Sequence, residues 1–191
     1  MVKERLKLGN TKLHQVLIFD LPAIKSCLNS SLCGKSCYAL KAQRMYPNVS
    51  KWRDDNLQLA KNHPRALLAM IHIQLTKTKY KVCRIHSSGD FFNQDYVDMW
   101  YEIVKRFPKI NFYAYTKVDK ILDFSKLKSL KNFNLIPSLI NGKLNFGPKA
   151  YVDQLVIDEG AFLCPAHDKK IKCNLHCNYC VSNNKPVFVQ H

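Results

Sequence analysis

The sequence predicts an α/β fold, with parallel strands joined by helical crossovers and a Cys-rich metal-binding segment near the C-terminal end. Three observations carry this. Short apolar, β-branched runs alternate with stretches of helical periodicity through the first 150 residues, which is the pattern of right-handed βαβ crossovers. These runs end on polar residues, at His86 to Asp90, at Tyr115 to Lys117 and at Ser138, and the carboxyl ends of parallel strands are where such folds gather their chemistry. Seven of the eight cysteines fall in two groups, Cys27 to Cys37 and Cys164 to Cys180. The chain accordingly divides into residues 1–150, the α/β part with its own Cys loop, and residues 151–191, a Cys-rich segment expected to pack on the same domain.

His14 to Asp20 is an apolar run that reads as a buried strand, stopped by Leu21-Pro22. The loop with Cys27, Cys33 and Cys37 follows, then a helix from Tyr38 to Met45, closed at Tyr46-Pro47. Ser50 is placed to cap a helix running to Asn62, with Trp52, Leu57 and Ala60 as its apolar contacts. Pro64 opens the next helix, Arg65 to Thr76, with Leu68, Ile71 and Leu75 on one face; its β-branched centre leaves a strand open there. Lys81 to His86 reads as a strand. Asn93 caps a helix to Arg106, in which Val97, Trp100, Val104 and Phe107 recur at helical spacing. Ile110 to Tyr115 is a strand that puts Tyr113 and Tyr115 on one face. A short helix is expected over Lys120 to Leu130 and a strand over Phe133 to Ile136, ended by Pro137-Ser138. Beyond Asn141 the regularity fades, and Pro186 to Gln190 reads as an edge strand.

With 191 residues, 47% of them apolar and 23% charged, the chain suits one domain with a real core. No apolar run approaches the roughly 20 residues of a membrane span, and the start, Met-Val-Lys-Glu-Arg-Leu-Lys, lacks the apolar stretch of a signal peptide. A cytoplasmic protein without a membrane partner is expected. In that reducing compartment clustered thiols read as metal ligands rather than disulfides. Cys83, alone in an apolar run, reads as a buried structural thiol. The net charge of +16 and a pI near 9.6 favour a nucleic-acid partner over a merely solubilising surface.

Thiolates bind soft and borderline metals, and a cubane cluster needs three or four of them on a short loop. Cys27, Cys33 and Cys37 supply three, which leaves one iron open to a small molecule; Gly34 lets the backbone wrap closely. Zinc with a remote fourth ligand such as His14 is the alternative, disfavoured because paired zinc knuckles are absent. Cys164, Cys173, Cys177 and Cys180, separated by eight, three and two residues, complete a closed site for a second cluster or structural zinc. His167 and His176 are possible substitutes for any of the four. His86 reads equally as a hydrogen-bonded core residue and as a proton carrier beside Asp90. His72-Ile73-Gln74 resembles the His-hydrophobe-Gln metal motif of rolling-circle nickases, with Tyr96 or Tyr101 as nucleophile.

The runs Gly9 to Leu13, Asp20-Leu21-Pro22-Ala23, Cys37-Tyr38-Ala39, Arg84 to Phe91 and Phe112 to Lys117 together resemble the phage gene product 88 family over most of the chain. That resemblance implies an origin on a phage or other mobile element and brings no activity with it. The same order of motifs is similar to radical S-adenosylmethionine (SAM) enzymes, in which a three-cysteine loop after the first barrel strand binds a 4Fe–4S cluster whose open iron takes SAM. This second resemblance implies a partial (β/α) barrel, incomplete because the chain is short, with Cys27, Cys33 and Cys37 as cluster ligands. It places Ser88, Gly89 and Asp90 against SAM, puts Lys117 and Ser138 near its carboxylate or ribose, and makes His86, Asp90 and Lys117 the candidate catalytic groups. The loop departs from the usual CxxxCxxC spacing, which occurs instead at Cys173, Cys177 and Cys180, but topology favours the first loop. The expected function is that of an iron–sulfur protein with radical SAM-type action on nucleic acid or a nucleic-acid-associated substrate. The alternatives are a non-enzymatic, metal-stabilised DNA- or RNA-binding protein and a rolling-circle-type nickase.

Overall fold

The computed structural model describes residues 4–9, 13–34, 37–140, 142–147, 149–165, 171–173, 177, 179–181 and 186–189. In chain order the elements are β1 (Lys7–Leu8), β2 (Val16–Phe19), α1 (Tyr38–Met45), α2 (Pro47–Asn62), α3 (Pro64–Lys77), β3 (Val82–Ile85), α4 (Gln94–Arg106), β4 (Asn111–Thr116), α5 (Ser125–Lys128) and β5 (Phe133–Pro137). A smaller second part follows: β6 (Leu139–Ile140), β7 (Lys143–Leu144), β8 (Phe146–Gly147), α6 (Lys149–Glu159), β9 (Phe162–Leu163) and β10 (Pro186–Val189). Among the described residues no helix is long and apolar enough to cross a membrane.

Strands β1 to β5 form one sheet in sequential order, with β2 to β5 parallel and β1 antiparallel on the β2 edge. The sheet stays open. Closing a barrel takes about eight strands, and four parallel ones leave the arc unfinished.

Alternation along the strands sends two sets of side chains to opposite faces. Leu17, Phe19, Cys83, Ile85, Phe112 and Ala114 meet α2 to α5 in the main core, where Leu67, Ile71, Trp100 and Val104 are fully buried. Cys83 is inaccessible within that layer, as its apolar setting predicts. The opposite face carries Val16, Ile18, Val82, Tyr113 and Ile136, and in place of helices it is covered by Leu13, Cys180 and Val181. Part of the C-terminal segment thus shields the sheet face that carries no helices, and the partial (β/α) barrel expected from the sequence is replaced by an open sheet. A third cluster, Val152, Leu155, Ala161 and Val187, joins α6 to the small sheet β8-β10-β9.

Several elements differ from their sequence expectations. Helix α2 begins at Pro47, not after Ser50: Tyr46 is extended at φ −129°, and proline fits the first helical position, where no amide donor is required. Asn93 caps α4 as expected, its Oδ1 accepting from Tyr96 N at 2.9 Å. The helix foreseen over Lys120 to Leu130 shrinks to α5. Ile121 N and Leu122 N turn back to Val118 O, and Asp123 Oδ1 accepts from Ser125 N at 2.8 Å to start the helix late. Strand β10 is central rather than an edge, paired in parallel with β8 and β9 on its two sides. Pro186 stands at its first position, where a missing amide is tolerated.

Candidate metal centres at the strand tips

Strands β2, β3 and β4 end close together, and two carboxylates hold the ends in place. Asp20, just past β2, accepts from Ser87 N at 2.7 Å, Ser87 Oγ at 2.8 Å and Ser88 N at 2.9 Å, and pairs with Arg53 Nη2 of α2 at 3.0 Å. Asp90 accepts from Phe91 N at 2.8 Å, Thr116 Oγ1 at 2.7 Å and Lys117 N at 2.9 Å, tying the end of β3 to the end of β4. Burial raises the pKa of Asp90, opposed by these three donors and by the Lys117 charge. Gly89 lets the end of β3 close on the segment that follows β2. It sits at φ +83°, and a Cβ there would lie 2.5 Å from Ser26 Oγ and 2.6 Å from Leu21 Cβ. Ser138, at the end of β5, is buried and its amide donates to Thr116 O at 2.6 Å.

The first cysteine loop lies over these tips. Asn29 Nδ2 donates to Lys117 O at 2.7 Å, and the Tyr38 hydroxyl donates to Ser87 O, so the loop is anchored to β4 at one end and to β3 at the other. Cys27 is pushed up to about 11 by burial, with Asp90, Cys33 and Cys37 adding repulsion against its thiolate. Burial also raises Cys33, but the Lys117 charge and side-chain hydrogen bond act against it. The three thiols, Asp90 and Lys117 therefore share one electrostatic neighbourhood at the carboxyl ends of the parallel strands. Lys35 and Ser36 of this loop, and Asn10 to Lys12, lie outside the described residues.

His86 is turned away from this mouth. Strand alternation alone would send it to the same side as Arg84, but its φ of +66° reverses it into the helix-side core. There it meets Phe91 edge-on and stacks on Tyr96, with Nε2 2.9 Å from Tyr96 Oη and Nδ1 buried without a partner among the described residues. Burial, helped by the Arg84 charge, lowers its pKa from 6.5 to about 3. Its folded value lies below its unfolded one, so the unfolded chain holds the extra proton between those pH limits. Stability is expected to be full above pH 6.5 and to fall, by roughly 1.4 kcal/mol per pH unit at most, as pH drops through that window. Urea unfolding at stepped pH checks this. The His86→Asn variant, which tolerates the positive φ and binds no proton, loses that part of the slope.

The second cysteine group gathers on the face opposite the helices. Cys164, Cys173, Cys177 and Cys180 line one cavity with Val16, Val82, Tyr113 and Phe162. Cys180 is fixed there by Asn134 Nδ2 donating to its carbonyl and by Tyr115 Oη 2.8 Å from its Sγ. Burial pushes its thiol up to about 11. His167 and His176 fall outside the described residues. Among the described residues no three His, Cys, Asp or Glu side chains converge closely enough to hold a single ion.

His72, Ile73 and Gln74 stand on α3. Gln74 is occupied by the backbone of the N-terminal segment, its Oε1 accepting from Arg5 N at 2.6 Å and Leu6 N at 2.9 Å. Tyr96 is buried against His86, and Tyr101 packs at the margin of the main core. Sequence reasoning missed three groups at the site: Asp20, its partner Arg53, and Arg84. Arg84 stacks over Tyr115 at 5.0 Å and donates to His86 O at 3.2 Å. A charge inside an apolar strand run, as in Val82-Cys83-Arg84-Ile85, was the readable signal for Arg84.

The chain matches the gene product 88 family over residues 2–187. It is 27% identical over 188 residues to the Gene 88 protein of Mycobacterium phage L5, covering 83% of this chain and 79% of that protein. It is 27% identical over 115 residues to the Gene 88 protein of Mycobacterium phage D29, covering 56% of this chain and 48% of that protein, so this match spans about half of the D29 relative. No solved structure matches the chain. With nearly its full length inside the family's pattern, the chain belongs to the gene product 88 family.

Proposed function

We propose that this phage-type protein holds a 4Fe–4S cluster on Cys27, Cys33 and Cys37 and a second metal centre, cluster or zinc, on Cys164, Cys173, Cys177 and Cys180. We propose further that the first centre serves radical SAM-type chemistry on nucleic acid or a substrate bound to it. The observation that carries this is the shared neighbourhood of three thiols, Lys117 and Asp90 over the tips of a sequentially ordered parallel sheet. The donor chemistry fits. In such a cluster each of the three thiolates would take a different iron. Burial raises the Cys33 thiol, and Lys117 beside it acts in the opposite direction, toward the thiolate that iron requires.

When bound, such a cluster would offer SAM an open iron and the electron for its reductive cleavage. The chain's own residues do the positioning. Asp90 uses its oxygens to pin β3 to β4, so the backbone of Ser88 to Asp90 is presented rigidly beside the cysteine loop. The Ser88 hydroxyl is buried with no partner among the described residues. The sequential order of the four parallel strands is the feature of the fold on which this reading rests.

The test is anaerobic purification followed by reduction in the presence of SAM. The expected result is SAM binding and release of 5′-deoxyadenosine, both lost in Cys33→Ala. Iron-loaded protein that neither binds nor cleaves SAM overturns the enzymatic reading.

A further inference from the structure

Resting on the nucleic-acid partner proposed above, we infer that the surface around the first cysteine loop and α1 binds single-stranded nucleic acid, with bases stacked on Tyr38 and Tyr46. Among the described residues ten large apolar side chains are exposed, and five of them, Leu28, Leu32, Tyr38, Met45 and Tyr46, lie within residues 28–46. Tyr38 is 69% exposed, Met45 57% and Tyr46 56%. Helix α1 buries only Ala39, so its outer surface has no partner among the described residues. Tyr38 and Met45, seven residues apart, share one side of that helix.

Charge names the occupant. From Leu21 to Arg53 there is no aspartate or glutamate, while the stretch contains Lys25, Lys35, Lys41, Arg44, Lys51 and Arg53. Lys25 and Lys51 lean toward Asp54 and Asp55, and Arg53 is buried with Asp20. Lys41 and Arg44 on α1 are exposed, and among the described residues neither has an acidic partner. A second copy of the chain would bring the same positive charge to this surface and be repelled. Exposed rings interleaved with unpaired cations fit a polyanion with flat, unstacked bases, since phosphates take the cations and every base has a face for the rings. A duplex keeps its bases stacked inside and cannot use the tyrosines in this way.

The place is coherent with the proposed chemistry. Tyr38 directly follows Cys37, and its hydroxyl reaches the carbonyl of Ser87 at the β3 tip. A strand lying across α1 therefore runs past the mouth where the three thiols gather.

The experiment is fluorescence anisotropy of the full, metal-quantified chain with a labelled single-stranded oligonucleotide and with the matching duplex. Single strand is expected to bind more tightly than duplex, with affinity falling as salt rises. Tyr38→Ala and Tyr46→Ala are each expected to weaken single-strand binding by about tenfold or more, while Tyr46→Phe binds like the parent. Circular dichroism and iron content of each variant verify that fold and metal are retained. Two results overturn the inference: equal or tighter duplex binding, or alanine variants that fold and bind unchanged. Concentration-dependent dimerisation that Tyr46→Ala abolishes also overturns it by assigning the patch to a second copy. Failure of SAM cleavage with these binding results intact touches only the enzymatic reading, so the two failures are distinguishable.

Discussion

Replacing Arg53 with methionine is expected to destabilise the protein by about 3–5 kcal/mol. The side chains of Arg53 and Asp20 are each only 7% exposed and pair at 3.0 Å. Without the guanidinium, the Asp20 carboxylate stays buried with its charge uncompensated, and Ala39 O loses the Arg53 Nη1 donor at 3.3 Å. Asp20 also organises Ser87 and Ser88, so the damage reaches the β3 tip and the Tyr38 anchor on Ser87 O. Urea denaturation measures the loss as a lower midpoint at unchanged slope. Adding Asp20→Asn to Arg53→Met removes the stranded charge and is expected to restore part of the stability, which a pair acting independently would not do. A loss below about 1 kcal/mol, the range of exposed ion pairs, contradicts this role.

Cys177→Ser is expected to release the metal proposed for the C-terminal cysteines and loosen the cover of the sheet's second face. Structural zinc sites carry apparent binding energies of about 10–16 kcal/mol, so losing one of four thiolates outweighs ordinary packing changes in so small a segment. The cover consists of Cys180 and Val181 against Val16, Ile18, Val82, Tyr113 and Ile136. The parent protein is expected to contain metal assignable to this site. The variant should lose it, bind a hydrophobic dye and exchange the amides of β2 and β3 faster, while the helix-side core persists. Chelator treatment of the parent should reproduce these changes. A variant with parental metal content and exchange would show that these thiols are simply core residues.

The first 140 residues were largely legible because their signals are local. Pro64 opens α3, Asn93 caps α4, and the Tyr38–Met45 helix ends where Tyr46-Pro47 ends it. What failed there failed for context. Nothing in Lys120 to Leu122 announces that the chain will fold back on Val118 before α5 begins. From Leu139 onward the described strands β6 to β9 have two residues each, too short for any alternation to be read. Strand β10 looked like an edge because its partners, Phe146 and Phe162, lie forty-two and twenty-four residues before the Phe188 and Pro186 they pair with.

At the site, residue types were legible and their orientations were not. Cysteine spacing marked both groups. The structure places the first over the strand tips and gathers the second in one cavity. A positive φ at His86 reverses the face that alternation assigns, and no pattern in His-Ser-Ser-Gly-Asp reveals that. The Asp20–Arg53 pair joins residues thirty-three positions apart, and only the packing of α2 on the sheet brings them together.

Iron and acid-labile sulfide should be measured in protein isolated without oxygen, beside a variant with serine at Cys27, Cys33 and Cys37. Iron and sulfide in equal amounts in the parent, falling sharply in a variant that remains folded, is the result predicted here. A reduced, folded parent free of iron and sulfide, or a triple variant that keeps the parental amount, would contradict the central claim.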